Sequence, residues 1–266
     1  MPAKPKLGQN FLIDQQAVER IAAALGDVRG KTVVEIGPGE GAITGALAAK
    51  SGHVLAIELD HQLAMSLRVR FPLERVTVVE QDVLGFDFGA AAEHAGAKLR
   101  VAGNLPYYIT SPILLKLAEC HASLDVAVLM VQREVGDRVT AAPGSRDYGL
   151  LSVTVQMYGP AEKLFTLPPS AFSPPPDVHS TVFRWRFAPR FDELQVPEDG
   201  FLRFVRQAFA QKRKTLANNL RAAGFSSGEA QSTLERAGVE ANARAEALPI
   251  EALAAVFKAG TKGLRD

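Results

Sequence analysis

An asparagine amide, a proline-stiffened corner and an aromatic ring follow one another in Asn104-Leu105-Pro106-Tyr107-Tyr108. The apolar run Leu99-Arg100-Val101-Ala102 before them reads as a short buried strand, which Gly103 to Pro106 breaks. Asn104 and Pro106 therefore fall on the loop at a strand's C-terminal end, where open α/β sheets hold their ligands. Leu105 is biased to an extended backbone by the proline after it, and Pro106 has a fixed φ and no N–H. Such a loop holds an amide oxygen and a main-chain carbonyl oxygen close together, beside a ring. That set suits a flat base carrying an amino group. An aromatic amine is a poor nucleophile because its lone pair is delocalised; two acceptors out of the ring plane favour a pyramidal nitrogen with the pair localised for attack. Tyr107 can stack on the base, a contact worth about 1–3 kcal/mol. The stiff proline-rich loop Ser170-Ala171-Phe172-Ser173-Pro174-Pro175-Pro176-Asp177-Val178 presents Phe172 as a second face for the same base.

A second group of residues would hold a cofactor. Thr32-Val33-Val34-Glu35-Ile36 is a buried strand, followed by Gly37-Pro38-Gly39-Glu40-Gly41 and a helix through Lys50. This is the strand, glycine loop and helix that open a nucleotide-binding α/β unit, Gly37 and Gly39 letting backbone approach a ligand closely. The spacing lacks the final offset of the dinucleotide pattern, and Glu35 just before the loop would repel a pyrophosphate. A carboxylate there attracts a cationic amine or sulfonium, which favours S-adenosylmethionine over a nicotinamide. Val54-Leu55-Ala56-Ile57 forms the next strand and ends at Glu58, placed to accept hydrogen bonds from both ribose hydroxyls. Val76 to Glu80 forms a third strand and leads to Asp82, placed to accept from an adenine amino group.

The elements that must position these groups follow in order. Asp14 is an N-cap for a helix from Gln15 to Leu25. A helix from Pro112 to Cys120, a fifth strand Val126–Val131 and a charged helical segment from Arg133 to Arg138 come after the Asn104 loop. Leu151–Met157 and Ser180–Trp185 both alternate, predicting an antiparallel pair that closes the sheet. Polar, breaker-rich Pro189–Gly200 marks a boundary between domains at 1–190 and 191–266.

The second domain reads as helical, with stops at Gly224, Gly238 and Pro249. From Phe201 to Ser227 there are six basic residues and no acid. On one unbroken helix, Arg203, Arg206, Arg213, Lys214 and Arg221 share about a third of the circumference. Phe204, Val205, Ala208, Phe209, Leu216 and Leu220 lie opposite. Solvated faces normally mix signs, so an acid-free basic face points to phosphate contact.

Composition narrows the class. The 266 residues are 47% hydrophobic, enough for one large domain and a small one, and the net charge is +1. No apolar run approaches the ~20 residues needed to cross a bilayer, and the N-terminus shows no hydrophobic signal core or transit-peptide pattern. A cytoplasmic protein with no membrane partner is expected. Cys120 is the single cysteine, and His53, His61, His94, His121 and His179 are scattered without ligand spacing, so no metal is expected.

Taken together, the chain resembles the ribosomal RNA adenine N6-dimethyltransferases, specifically the bacterial small-subunit enzymes associated with kasugamycin sensitivity. The likeness is carried by Leu7-Gly8-Gln9-Asn10-Phe11-Leu12, Glu35–Gly41, Glu58-Leu59-Asp60, Gln81-Asp82-Val83, Asn104–Tyr108, Tyr148–Val153, Phe172–Pro176, Val205–Phe209 and Lys212–Leu220. The last block separates it from the antibiotic-resistance methylases of large-subunit RNA, which share the catalytic motifs.

The resemblance implies a Rossmann-like S-adenosylmethionine-dependent domain, with a mostly parallel seven-stranded sheet between helices, and a small all-helical C-terminal domain. It implies that Asn10, Leu12, Gly37, Gly39, Glu58, Asp82 and Asn104 line the cofactor site. It also implies that Asn104, Pro106, Tyr107 and Phe172 hold the target adenine. The expected substrate is a pair of adjacent adenines in the 3′-terminal hairpin loop of 16S rRNA, within an immature small ribosomal subunit, modified by a monomer. Lys4 and Lys6 stand where many relatives have a longer basic arm. The rivals are a non-catalytic ribosome-assembly factor on the same fold, a large-subunit methylase and a nicotinamide-dependent oxidoreductase.

Overall fold

The computed structural model describes residues 10–261. Lys4, Lys6 and the Leu7-Gly8-Gln9 part of the N-terminal motif lie outside them. The chain forms two units. The first runs to Gly136 and resumes for Ala161–Phe187, and the second takes Asp137–Pro160 and everything from Ala188.

The first unit opens with β1 (Phe11–Leu12) and α1 (Gln15–Ala24), then alternates. β2 (Thr32–Ile36), α2 (Ala42–Lys50), β3 (His53–Glu58), α3 (His61–Arg70) and β4 (Val76–Glu80) are followed by α4 (Phe88–Ala95), β5 (Leu99–Asn104), α5 (Thr110–Glu119) and β6 (Leu124–Gln132). Asp14 accepts from the Ala17 N–H at 3.0 Å, which is the N-cap expected of it. Beyond α6 (Arg133–Val139) and α7 (Leu150–Met157), the sheet is completed by β7 (Ala161–Leu167) and β9 (Ser180–Arg186), with β8 (Phe172–Ser173) between them. The strand order is β4-β3-β2-β5-β6-β9-β7, and β1 and β8 form a separate antiparallel pair. Within the seven-stranded sheet β2 to β6 pair in parallel, and the β6–β9 and β9–β7 pairings are antiparallel. Val33, Val34, Val101, Ala102 and Val128 are buried, as continuous apolar strands covered on both faces must be.

This topology fixes where a ligand can bind. From β2 the chain builds outward through β3 and β4, then crosses back to add β5 on the other side. The crevice at the strand ends between β2 and β5 is therefore the switch point of the sheet. The two strands approach closely there because residue 103 is glycine: a Cβ on Gly103 would lie 2.8 Å from the Ile36 carbonyl oxygen.

One expected strand is a helix. Leu150–Met157 does not pair with β9; the antiparallel neighbour is β7, whose exposed Glu162 and Lys163 conceal a strand pattern. In α7, Leu151 to Val155 and Met157 are all buried, so apolar alternation carries no information about which period applies. Side chains hold the helix in place. The Ser152 hydroxyl accepts from the Gly149 N–H at 3.0 Å and donates to the Arg138 carbonyl at 2.5 Å. The Gln156 amide donates to the Val139 and Ala141 carbonyls. These ties outweigh the strand propensity of Val153, Thr154 and Val155. The division is also not the single cut expected at residue 190: α7 groups with the second unit, although the chain leaves that unit again to form β7 and β9.

The rest of the second unit is α8 (Phe191–Leu194), α9 (Glu198–Ala208), α10 (Leu216–Ala222), α11 (Ser227–Arg236) and α12 (Ile250–Thr261). Phe201 of α9 packs edge-to-face on Phe257 of α12, with ring centroids 5.7 Å apart. Ser226 and Glu229 cap α11 reciprocally. The helix assumed unbroken from Phe201 to Ser227 is interrupted. α9 stops at Ala208, and α10 restarts with Thr215 accepting from the Asn218 N–H at 3.3 Å. The physical reason is the buried Asn219, whose side-chain amide donates to the Ala208 carbonyl at 2.7 Å and to Gln211 at 3.4 Å. The Ala208 carbonyl, at the end of α9, finds its donor in this side chain instead of the next helical turn.

Candidate active site

A cleft of about 1050 Å³, counting its solvent-filled mouth, opens at the ends of the parallel strands. Its wall takes residues from Asn10 and β1 (Phe11, Leu12), the glycine loop (Gly37, Pro38, Gly39), the tip of β3 (Glu58, Leu59), the tip of β4 (Gln81, Asp82) and the Asn104–Ile109 corner. The residues that the resemblance places around a cofactor, Asn10, Leu12, Gly37, Gly39, Glu58, Asp82 and Asn104, are all on this wall. Pro106 and Tyr107 are there too.

The geometry begins with the loops. Gly37 donates its N–H to the Ile57 carbonyl at 3.0 Å, tying the glycine loop to β3. Gly39 has φ +56°, and a Cβ there would lie 3.0 Å from the Phe11 ring. Glycine is needed at that position for both reasons. Glu58 is buried; one carboxylate oxygen accepts from the Gly39 N–H at 3.1 Å and the other from the Asp60 N–H at 2.9 Å. A carboxylate offers about four lone-pair sites, so both oxygens keep capacity for hydroxyl donors. Asp82 is exposed and holds the Leu84 N–H at 2.9 Å, with its other oxygen uncommitted by that bond.

The Asn104 amide is oriented from outside its own strand. Its nitrogen donates to the Asn10 carbonyl at 3.0 Å, which leaves the amide oxygen as the acceptor on the other side. The Pro106 carbonyl is already used: it accepts from the Ile109 N–H at 3.2 Å and the Thr110 hydroxyl at 3.0 Å, closing the turn into α5. That oxygen is therefore not the main-chain acceptor expected beside Asn104. Tyr107 is half-buried and its hydroxyl lies 3.1 Å from that of Ser180, whereas Tyr108 is 60% exposed at the rim.

Two expectations change. Phe172 is 3% exposed, packs in the core and does not line the cleft. Its main chain pairs with Leu12 across the β1–β8 ladder, which commits its ring to the core; the aromatic ring on the cleft wall from that ladder is Phe11. Glu35 is buried beneath the loop, accepting from the Thr44 hydroxyl at 2.6 Å, and does not line the cleft. Burial raises its carboxyl to about 8, Glu58 adds to the rise, and the Thr44 hydrogen bonds oppose it. Sequence reasoning also missed Thr110 and Ser180, since a lone hydroxyl carries no pattern that points to the loop it supports.

The basic residues are all exposed, but not on one helix. Arg203 and Arg206 lie on α9, Arg213 and Lys214 in the turn after it, and Arg221 on α10. Arg221 also bonds the Asn218 side chain. Among the described residues no cluster of His, Cys, Asp or Glu is placed to hold a metal ion, and no helix is long and apolar enough to cross a membrane.

The model of the family described as ribosomal RNA adenine dimethylase matches residues 2–262. The chain belongs to that family. Within it, the chain is 57% identical over 256 residues to the ribosomal RNA small subunit methyltransferase A of Acidobacterium capsulatum, covering 96% of this chain and 90% of that one. It is 48% identical to the protein of the same name from Koribacter versatilis, covering 98% and 95%. Among solved structures, a dimethyladenosine transferase from Plasmodium falciparum shares the fold, with a TM-score of 0.81 at 23% identity over 95% of this chain and 98% of that one. The 23S rRNA methyltransferase ErmE gives 0.72 at 25% identity, covering 94% and 99%.

As a family member the protein is an S-adenosylmethionine-dependent rRNA adenine dimethyltransferase with a Rossmann-like catalytic unit. The cleft fits that cofactor. A glycine cradle that a side chain would fill lies beside a buried carboxylate already held by two N–H groups, as a ribose-binding acid requires.

Proposed function

We propose that this protein dimethylates N6 of two adjacent adenines in the 3′-terminal hairpin loop of 16S rRNA, acting as a cytoplasmic monomer on an immature small ribosomal subunit. The observation that carries the chemistry is the Asn104 amide. Its nitrogen is committed to Asn10, so its oxygen is the spare acceptor of a residue that lines the same cleft as Glu58 and the glycine loop. The choice of the small subunit is supported by the names of the two relatives at 57% and 48% identity, against 25% for the large-subunit enzyme.

S-adenosylmethionine, when bound, supplies an electrophilic methyl group on a sulfonium. Glu58 would accept from its ribose hydroxyls and Asp82 from its adenine amino group, while Asn10, Leu12, Gly37 and Gly39 enclose it. Asn104 Oδ1 and a main-chain carbonyl of the corner accept the two N6 hydrogens of the target adenine, drawing them out of the base plane and localising the lone pair. Pro106 stiffens the corner, and Tyr107 stacks on the base. These groups align the amine and stabilise the positive charge that develops on it. The alkylated nitrogen is acidic, so its proton leaves to water and no strong general base is needed. Arg203, Arg206, Arg213, Lys214 and Arg221 contact RNA phosphates.

The test is incubation of the full chain with labelled S-adenosylmethionine and under-methylated small subunits, followed by mapping of the modified nucleotides. Label on two neighbouring adenines near the 3′ end is expected. No label would leave the assembly-factor reading, and label on large-subunit RNA alone would reassign the substrate.

A further inference from the structure

We infer that Ser180 is a positioning residue for methyl transfer: from its buried place at the start of β9, its hydroxyl clamps the far end of the Tyr107 ring. The inference rests on Tyr107 being the ring that stacks on the target base. The two hydroxyl oxygens are 3.1 Å apart, a hydrogen bond in which either can donate.

The anchor is rigid. Ser180 is 0% exposed, and its main chain is paired on both sides, with Gln132 of β6 and Leu167 of β7. It therefore sits inside the sheet, not at its edge. A serine is a poor packing choice in such a place unless its hydroxyl has a partner, because an unpaired buried hydroxyl is costly. Tyr107 supplies that partner.

The ring needs the clamp. The corner ahead of it is stiffened by Pro106, and the turn after it is closed by the bonds to the Pro106 carbonyl. These hold the backbone of Tyr107 but leave its two side-chain torsions unset. A bond at the hydroxyl end fixes both. Tyr108, on the same short turn, points to the rim and is 60% exposed. The clamp thus separates the two neighbouring tyrosines into one held ring and one solvated ring. A pre-set stacking face saves the ordering that a free ring would undergo when the base arrives.

The test compares Ser180→Ala, Tyr107→Phe, the double variant and Tyr107→Ala, with S-adenosylmethionine and under-methylated small subunits. Loss of one buried neutral hydrogen bond predicts a drop in kcat of about five- to tenfold for Ser180→Ala and for Tyr107→Phe, with KM for S-adenosylmethionine unchanged. Because both remove the same bond, the double variant should fall no further than either single one. Tyr107→Ala should fall well below all three.

A second readout does not depend on turnover. A hairpin RNA with 2-aminopurine at the target position should be quenched on binding the parent and less quenched by Ser180→Ala. Ser180→Ala at the parent rate with full quenching, while Tyr107→Ala is impaired, overturns the clamp and leaves the stacking role intact. Losses that multiply in the double variant also overturn it. Parent activity in Tyr107→Ala overturns both. Should Ser180→Ala fail to fold, Tyr107→Phe breaks the same bond with Ser180 in place, and its rate and quenching decide.

Discussion

Replacing Glu35 by Gln isolates the electrostatic cost of the carboxylate buried under the glycine loop. In the folded protein its carboxyl is raised from 4.5 to about 8. The unfolded chain gives up that proton near 4.5, so between the two values the folded state binds one more proton than the unfolded state. Stability then falls as pH rises, by about 1.4 kcal/mol per unit, and levels off above the folded value. Over this window the loss amounts to about 5 kcal/mol, of which roughly 3 kcal/mol has accrued by pH 7. The glutamine side chain of Glu35→Gln cannot ionise, and its carbonyl oxygen can still accept from Thr44, whose hydroxyl is 2.6 Å from the Glu35 carboxylate. Any penalty for its new amide N–H groups is the same at every pH. The variant should therefore gain on the parent steadily from pH 5 to pH 8, by about 10 °C in melting temperature at the top of that range for a protein of this size. Melting of both cofactor-free proteins at unit intervals from pH 5 to pH 9 reads the difference with other titrating groups cancelled. A parent–variant gap that stays constant across that range would refute the assignment of a buried, protonated Glu35.

Asn104→Ala should lower kcat by about 10²- to 10³-fold, as loss of a preorganised hydrogen-bonding group at the reacting centre does, with RNA affinity changed far less; comparable turnover in mutant and parent would remove Asn104 from the chemistry. Gly39→Ala places a Cβ 3.0 Å from the Phe11 ring at φ +56°. It should cost about 1–2 kcal/mol of stability from backbone strain and weaken S-adenosylmethionine binding in calorimetry. Arg213→Glu with Lys214→Glu should weaken RNA binding and flatten its salt dependence, by about one unit of log–log slope for each phosphate no longer neutralised. An unchanged slope in a filter-binding titration would remove those residues from the RNA interface.

The sequence alone was enough to locate the cleft. Strands that are buried on both faces are apolar throughout, so β2, β3, β5 and β6 announce themselves, and the glycine, acid and amide residues at their ends follow from chain order. What it could not say is which atoms of those residues are already in use. The Asn104 amide keeps its oxygen as the spare acceptor because Asn10, 94 residues away in the chain, holds its nitrogen. Pro106 lends stiffness rather than its carbonyl, because Thr110 and Ile109 take that oxygen. Phe172 turns inward because its backbone is the ladder partner of Leu12.

The same limit explains the two misassigned elements. Most of α7 is buried, Leu151 to Val155 without a break, so the alternation in its sequence does not report its period, and bonds to Arg138, Val139 and Ala141 hold it as a helix. The basic stretch was legible as charge, but Asn219 breaks its helix by folding back onto the carbonyls of Ala208 and Gln211. Composition and local order determine which side chains reach the strand ends. Hydrogen bonds between residues remote in the chain, formed only once the sheet is assembled, decide which of their atoms are left to meet a ligand.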